Sequence, residues 1–167
     1  MNTMRLYVYS LLTKILPETR FFDLKVRLLR WCGAKIGENV RINSSARFWG
    51  LGRLVIGDDV WIGPATILCT GVGGDIAIGS HVDISLRVNM STGSHEIDVA
   101  GEHSAGKGTQ KSIVVEDGVW IGMGVTILQG VTIGRKAIVA AGSVVTRDCE
   151  ACVLYAGVPA VKKKSLI

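Results

Sequence analysis

Residues 115–148 read VEDGVWIGMGVTILQGVTIGRKAIVAAGSVVTRD, and in them an aliphatic residue returns at every sixth place: Val115, Ile121, Ile127, Ile133, Val139 and Val145. A beat of six is neither the alternation of a plain strand nor the 3.6-residue period of a helix. It suits short strands separated by tight corners, one strand and one corner to each hexad. The same beat runs upstream through Ile36, Ile42 and Phe48, through Ile56, Ile62 and Leu68, and through Ile78, Ile84 and Met90. Four hexads beginning at Ile36, Ile56, Ile78 and Ile133 share one template: an aliphatic residue, glycine, two variable residues, a small or β-branched residue, then a free position.

Three hexads turn three corners and bring the chain back above its start. Blocks 36–53, 56–73, 78–95, 115–132 and 133–150 therefore predict five coils, stacked at the ~4.8 Å spacing of paired strands. The interruptions at 54–55, 74–77 and 96–114 each follow a third hexad, so all three leave the prism at the same corner. The expected fold is all-β, a parallel β-helix of about five triangular coils over residues 34–153. A helical segment (1–33) precedes it and a tail (154–167) follows. Alternation along a strand sends Val60 and Ile62 inward and Trp61 outward, and Trp120 likewise outward. The glycine at the second hexad position is expected to supply a positive φ at the corner.

Composition agrees with a repeat fold. The chain has 167 residues, 48% of them hydrophobic, which suffices for one domain with a sizeable core. Only 6% are aromatic while 21 are glycine, so the core must be built mainly from Ile, Val and Leu. The net charge of +5 is spread between Arg5–Arg47 and the tail Lys162-Lys163-Lys164, and no nucleic-acid motif accompanies it. An anionic cofactor or a membrane surface would use the same charge. Cys32, Cys69, Cys149 and Cys152 form no disulfide framework, and the lone CxxC at 149–152 is read as reduced thiols, which places the protein in the cytoplasm. No secretory signal is evident, and the apolar run Leu6–Leu16 is shorter than the ~20 residues of a membrane span. It is read as an amphipathic helix with Tyr9, Leu12, Ile15 and Leu16 at helical spacing, and Phe21–Trp31 as a second helix. Packing on the domain and peripheral contact with the inner membrane face both remain open for this segment.

The beat stops at STGSHEID, residues 91–98. His95 stands at the base of the longest interruption, and long loops in compact folds are usually functional. Periodicity does not give the hand of the coil, and parallel crossovers are right-handed in about 98% of cases.

The hexads, the stretch Trp120–Asp148 and the tail AGVPA (156–160) resemble the hexapeptide-repeat acyltransferases. Within them the chain is most similar to sugar O-acetyltransferases of the galactoside and maltose type, in particular those serving capsule, exopolysaccharide or O-antigen synthesis. The likeness covers about residues 33–164. It implies a left-handed parallel β-helix, a homotrimer with active sites in the clefts between neighbours, acetyl-CoA as co-substrate, and no metal. It also implies that His95 is the general base that takes the proton of a sugar hydroxyl as this attacks the thioester directly. Cofactor residues carried over by position are Trp120, Met123, Ala141, Thr146, Arg147 and Lys164, with Lys162 and Lys163 as alternatives to the last.

The acceptor side departs from the pattern. Where those relatives place an asparagine and an aspartate one coil before the histidine, this chain has Ala65 and Gly73, so Asp75, Asn89, Glu96 and His103 are the candidates for acceptor contact. Glu96 could also orient His95, or stand as an exposed loop carboxylate. His81 is read as a solvated turn residue. The same base would serve transfer to an amine. A zinc enzyme of the carbonic anhydrase type, using the three histidines, and a non-catalytic trimeric scaffold are the remaining readings.

Overall fold

The computed structural model describes residues 1–167. Three parallel sheets form the faces of a triangular prism. The first face stacks Lys35–Ile36, Leu54–Ile56, Ile76–Ile78, Ile113–Val115 and Thr132–Ile133. The second stacks Arg41–Ile42, Trp61–Ile62, Asp83–Ile84, Trp120–Ile121, Ile138–Val139 and Val153–Ala156, and the third Arg47–Gly50, Ile67–Thr70, Asn89–Ser91, Thr126–Ile127 and Val144–Val145. Each strand pairs with the one directly above it, so the register joins equivalent positions, such as Ile42 with Ile62 and Ile62 with Ile84. Every residue of the six-residue beat is buried, and together they fill the axis of the prism.

The count of coils is larger than the sequence implied. Five complete coils are followed by a partial sixth, in which Cys149 bridges Ile133 on the first face and Val153–Ala156 extends the second. The region taken as a tail from 154 therefore begins inside the helix. Val161–Ser165 then folds back antiparallel on Val153–Ala156.

The corners work differently from the sequence expectation. Positive φ falls at the fourth hexad position, at Asn39, Asp59, His81, Lys136 and Cys152 in one corner column and at Ala65 and Arg87 in another. The second-position glycines have another reason to be glycine, which is space. A Cβ on Gly57 would lie 2.7 Å from the carbonyl carbon of Gly79, and one on Gly122 would lie 2.6 Å from the amide nitrogen of Ala141. The next coil passes too close to admit a side chain.

Two helices, α1 (Thr3–Thr13) and α2 (Phe22–Trp31), cover the first coil. Asn2 caps α1 by accepting from the Arg5 amide, while Asp23 in the first turn of α2 and Arg30 in the last complement its dipole. α1 buries Leu6, Tyr9 and Thr13, and Tyr9 meets Phe48 edge to face. Leu12 and Ile15, expected on the packing face, are exposed. Lys25 is buried instead: its ammonium donates to the Glu18 carbonyl and the Ser44 hydroxyl, which ties the turn between the helices to the first coil. Burial pushes its pKa below the ordinary lysine value.

The first coil has a free sheet edge, and cations satisfy it. Arg30 donates to the Ile36 and Gly37 carbonyls, Arg47 to those of Ser44 and Ala46, and the Met1 ammonium to those of Leu51 and Gly52. Much of the amino-terminal basic charge is thus structural.

The two kinds of corner position make opposite predictions. Gly57→Ala should destabilise the protein by ~1–3 kcal/mol through overpacking, whereas Lys136→Gly, which relieves a left-handed backbone, should stay within about 1 kcal/mol of wild type. Urea denaturation of both variants checks this, and equal losses would refute it.

Candidate active site

All three insertions into the hexad beat lie at the corner between the third and first faces. The first turns through Gly50 at φ 101°, and the second closes with paired hydrogen bonds between Gly71 and Gly74. The third is not an irregular loop but a β-hairpin, Gly93–Ile97 against Ala105–Gln110. It starts three residues before the expected boundary, so His95 lies within its first strand.

The His95 ring is held by backbone. Its Nδ1 stands 2.9 Å from the Gly106 carbonyl oxygen, across an irregularity in register between His95 and Ile97. A carbonyl only accepts, so Nδ1 donates and, in the neutral ring, Nε2 keeps its lone pair. Glu96 is exposed, and the orienting role considered for it falls to Gly106.

The hairpin is rooted by a polar cluster that the sequence reading did not identify. The buried Thr92 hydroxyl donates to Gln110 Oε1 at 2.9 Å and accepts from the Gly71 amide at 2.9 Å. A Cβ on Gly71 or Gly93 would run into the Gln110 side chain. The returning strand is tied to the next coil by Gln129 Nε2, which donates to Thr109 Oγ1 at 2.8 Å. The glycines flanking the break were the legible signal for this root.

Asp75 occupies the same corner but is occupied by structure. Its Oδ1 accepts from the Arg53 amide and its Oδ2 from the Arg53 guanidinium, each at 2.7 Å. The Arg53 amide hydrogen bond above all, with weaker help from the guanidinium, holds its carboxyl below the usual carboxylate range against the opposing effect of burial. Asn89 faces outward on the third face between Ile67 and Thr126, and its amide donates to the Arg87 carbonyl. His103 is exposed at the far end of the hairpin. His81 lies in a turn at φ 59°, with Nδ1 at 3.1 Å from Asp59. The three histidines do not converge.

The residues carried over for cofactor binding fall into separate patches. Thr146 and Arg147 are exposed in the His95 corner column, two coils further along. Met123 and Ala141 are exposed at the corner between the second and third faces, where the Met123 carbonyl accepts from the Gly142 amide. Trp120 is 55% exposed on the second face between Asp83 and Ile138. Lys164 pairs in register with Leu154 on that same sheet. Of the alternatives, Lys162 is engaged by Glu150 at 2.6 Å, a hydrogen bond that raises its pKa. Within one chain the third face, with strands Asn89–Ser91 and Thr126–Ile127 in these coils, separates His95 from the Met123 corner. Trp61 is half-buried beneath Phe22 of α2 at 6.0 Å, so its outward ring is covered by its own chain. All four cysteines are free, and burial raises the Cys149 thiol to about 11, out of reach of nucleophilic use near neutrality.

The chain is similar to known proteins over most of its length. Residues 112–147 match the family model described as bacterial transferase hexapeptide, six repeats. An Escherichia coli strain K12 protein named for an acetyltransferase role in colanic acid biosynthesis, WcaF, is 40% identical over 134 residues, 80% of this chain and 70% of that one. A hexapeptide-repeat acetyltransferase of Vibrio cholerae, solved with acetyl coenzyme A, superposes with a TM-score of 0.73 at 28% identity, covering 98% of this chain and 86% of that one. The Bacillus cereus N-acyltransferase AntD, solved with dTDP and coenzyme A, superposes at 0.66 with 25% identity, covering 79% of this chain and 73% of that one.

The Asp75 geometry carries a pH dependence. A carboxyl whose folded pKa is depressed contributes stability above its unfolded value, lost as pH falls through the folded one. In urea denaturation, the gap between wild type and Asp75→Asn should be widest near pH 6 and close below about pH 4. A gap that is constant with pH would show that the carboxylate charge adds nothing.

Proposed function

The chain belongs to the hexapeptide-repeat transferase family, and on that premise we propose that it moves an acetyl group from acetyl-CoA to a hydroxyl of a sugar used in bacterial surface polysaccharide, with His95 as general base. The single observation that carries the reading is the hydrogen bond from His95 Nδ1 to Gly106, which fixes the tautomer and leaves Nε2 to take a proton. The similarity to the protein named for colanic acid biosynthesis supports the sugar and the pathway class. The acetyl-CoA complex of the Vibrio cholerae neighbour supports the donor.

The steps balance with this one residue. Nε2 accepts the hydroxyl proton as the acceptor oxygen attacks the thioester carbonyl, and the new C–O bond gives a tetrahedral oxyanion. Meanwhile the imidazolium charge is shared with the Gly106 carbonyl through Nδ1–H. Collapse of the intermediate breaks the C–S bond, and the departing thiolate recovers the proton from Nε2. No acyl-enzyme forms. A homotrimer completes the site: the His95 corner of one copy then faces the Trp120, Met123 and Ala141 patches of its neighbour, which a single chain keeps apart.

Transfer to an amine is the second reading, favoured by the likeness to AntD, an N-acyltransferase. The same base serves either nucleophile. Mild alkali releases the acetyl group from an O-acetyl product and leaves an N-acetyl product intact.

His95→Ala should lower kcat by roughly 10²–10⁴-fold in a thiol-release assay, while calorimetric acetyl-CoA binding stays near wild type. Full activity in the variant would remove His95 from the chemistry, and no binding at millimolar acetyl-CoA would turn the reading toward a scaffold.

A further inference from the structure

α1 is apolar on both sides. It packs on the first coil through Leu6, Tyr9 and Thr13. Opposite them stand Met4, Tyr7 and Leu11, exposed by 71%, 60% and 44%, at i, i+3 and i+7. Leu12 and the following Ile15, the latter 82% exposed, extend the strip, and Phe21 is exposed in the turn that follows. A helix of this kind inside a globular protein is normally buried on both sides. Here the prism occupies only one of them.

Charge indicates what covers the other. α1 carries no acidic residue. Lys14 and Arg20 follow the strip in sequence, both exposed, and neither forms an ion pair. Glu18, the one acid between them, gives its carboxylate to the Ser45 amide. Arg5 lies over Trp31 and donates to the Trp31 carbonyl, so it screens the opposite edge without opposing an anionic surface. An exposed ridge of Met, Tyr, Leu and Ile with cations at its rim matches a bilayer surface containing anionic lipid, where the ridge enters the acyl boundary and the cations meet the headgroups.

Length decides the orientation. No helix of the protein is long and apolar enough to cross a membrane. Eleven residues make a rod of about 16 Å, about half the ~30 Å hydrocarbon core, so α1 can only lie in the plane of the interface. It is fastened for this: the turn after it is held to the first coil by Lys25, and its start by the Met1 ammonium on Leu51 and Gly52. Membrane contact would therefore orient the whole prism, with its amino-terminal end toward the lipid.

We propose that the outer face of α1, formed by Met4, Tyr7 and Leu11, together with Ile15 and the cations Lys14 and Arg20 in the segment that follows the helix, is a peripheral docking surface for anionic membrane. The proposal does not rest on the acyl-transfer reading, because acetyl-CoA binding measured on the same variants reports on that reading separately.

The test is co-sedimentation of the full chain with phosphatidylcholine vesicles with and without phosphatidylglycerol. Binding should rise with the anionic lipid and fall with added salt. Leu11→Glu combined with Ile15→Glu should weaken it at least about tenfold, with acetyl-CoA binding unchanged. Lys14→Glu, which leaves the apolar strip intact, should weaken binding only to the anionic vesicles, and it keeps the test decisive if the double variant folds poorly. The proposal is overturned if wild type fails to sediment with anionic vesicles, or if the variants bind as wild type does. It is also overturned if light scattering shows the double variant losing subunits, since the strip would then be a contact between copies.

Discussion

The distance between stacked coils governs this molecule. Adjacent strands pair at ~4.8 Å, and at the corners that spacing leaves no room for a Cβ at the second hexad position, as Gly57 and Gly122 show. Because the backbone rises by the same step at each corner, equivalent residues fall into columns: Ile42, Ile62 and Ile84 inward, Trp61, Asp83 and Trp120 outward. A core of columns tolerates insertions only where they do not interrupt a ladder. All three departures therefore leave at one corner, and the longest of them carries His95.

This constraint gives the hairpin its rigidity. Both of its ends belong to strands already fixed in ladders, Asn89–Ser91 on one side and Ile113–Val115 on the other. Between these anchors the Thr92 hydroxyl joins Gln110 to the Gly71 amide, and Gln129 of the next coil holds Thr109. The short strands pair His95 with Gly108 and bring the Gly106 carbonyl within reach of its ring. A base on a free loop would sample many rotamers, whereas here the ring is fixed by a carbonyl that belongs to the same hairpin.

The sequence made the prism legible because the period, the glycines and the placement of breaks all report the same columns. It misassigned the glycine role, since a requirement for space and a requirement for positive φ leave the same letter in the chain. Asn39, Asp59 and His81 carry the positive φ without glycine, helped in part by side-chain bonds along the column, such as those of Asn39 and His81 to Asp59. His95 was legible from its position before the longest break. Its partner Gly106 was not, because a backbone carbonyl leaves no trace in residue identity. The packing face of α1 was also misread: with apolar residues on all sides, the periodic signal cannot say which side meets the prism.

The two ends of the prism solve one problem in different ways. A stack of parallel strands exposes unpaired amides and carbonyls at each end, which invites association with other chains. At the carboxyl end the second face is closed by an antiparallel strand whose exposed side chains include three lysines, one paired with Glu150. At the amino end Arg30, Arg47 and the Met1 ammonium neutralise the edge carbonyls, and the helices cover what remains. Closing the amino end consumes basic charge and leaves apolar surface outside, while closing the carboxyl end leaves basic charge outside. The same structural need thus gives the solenoid two chemically different ends, and a partner that reads surface chemistry can tell them apart.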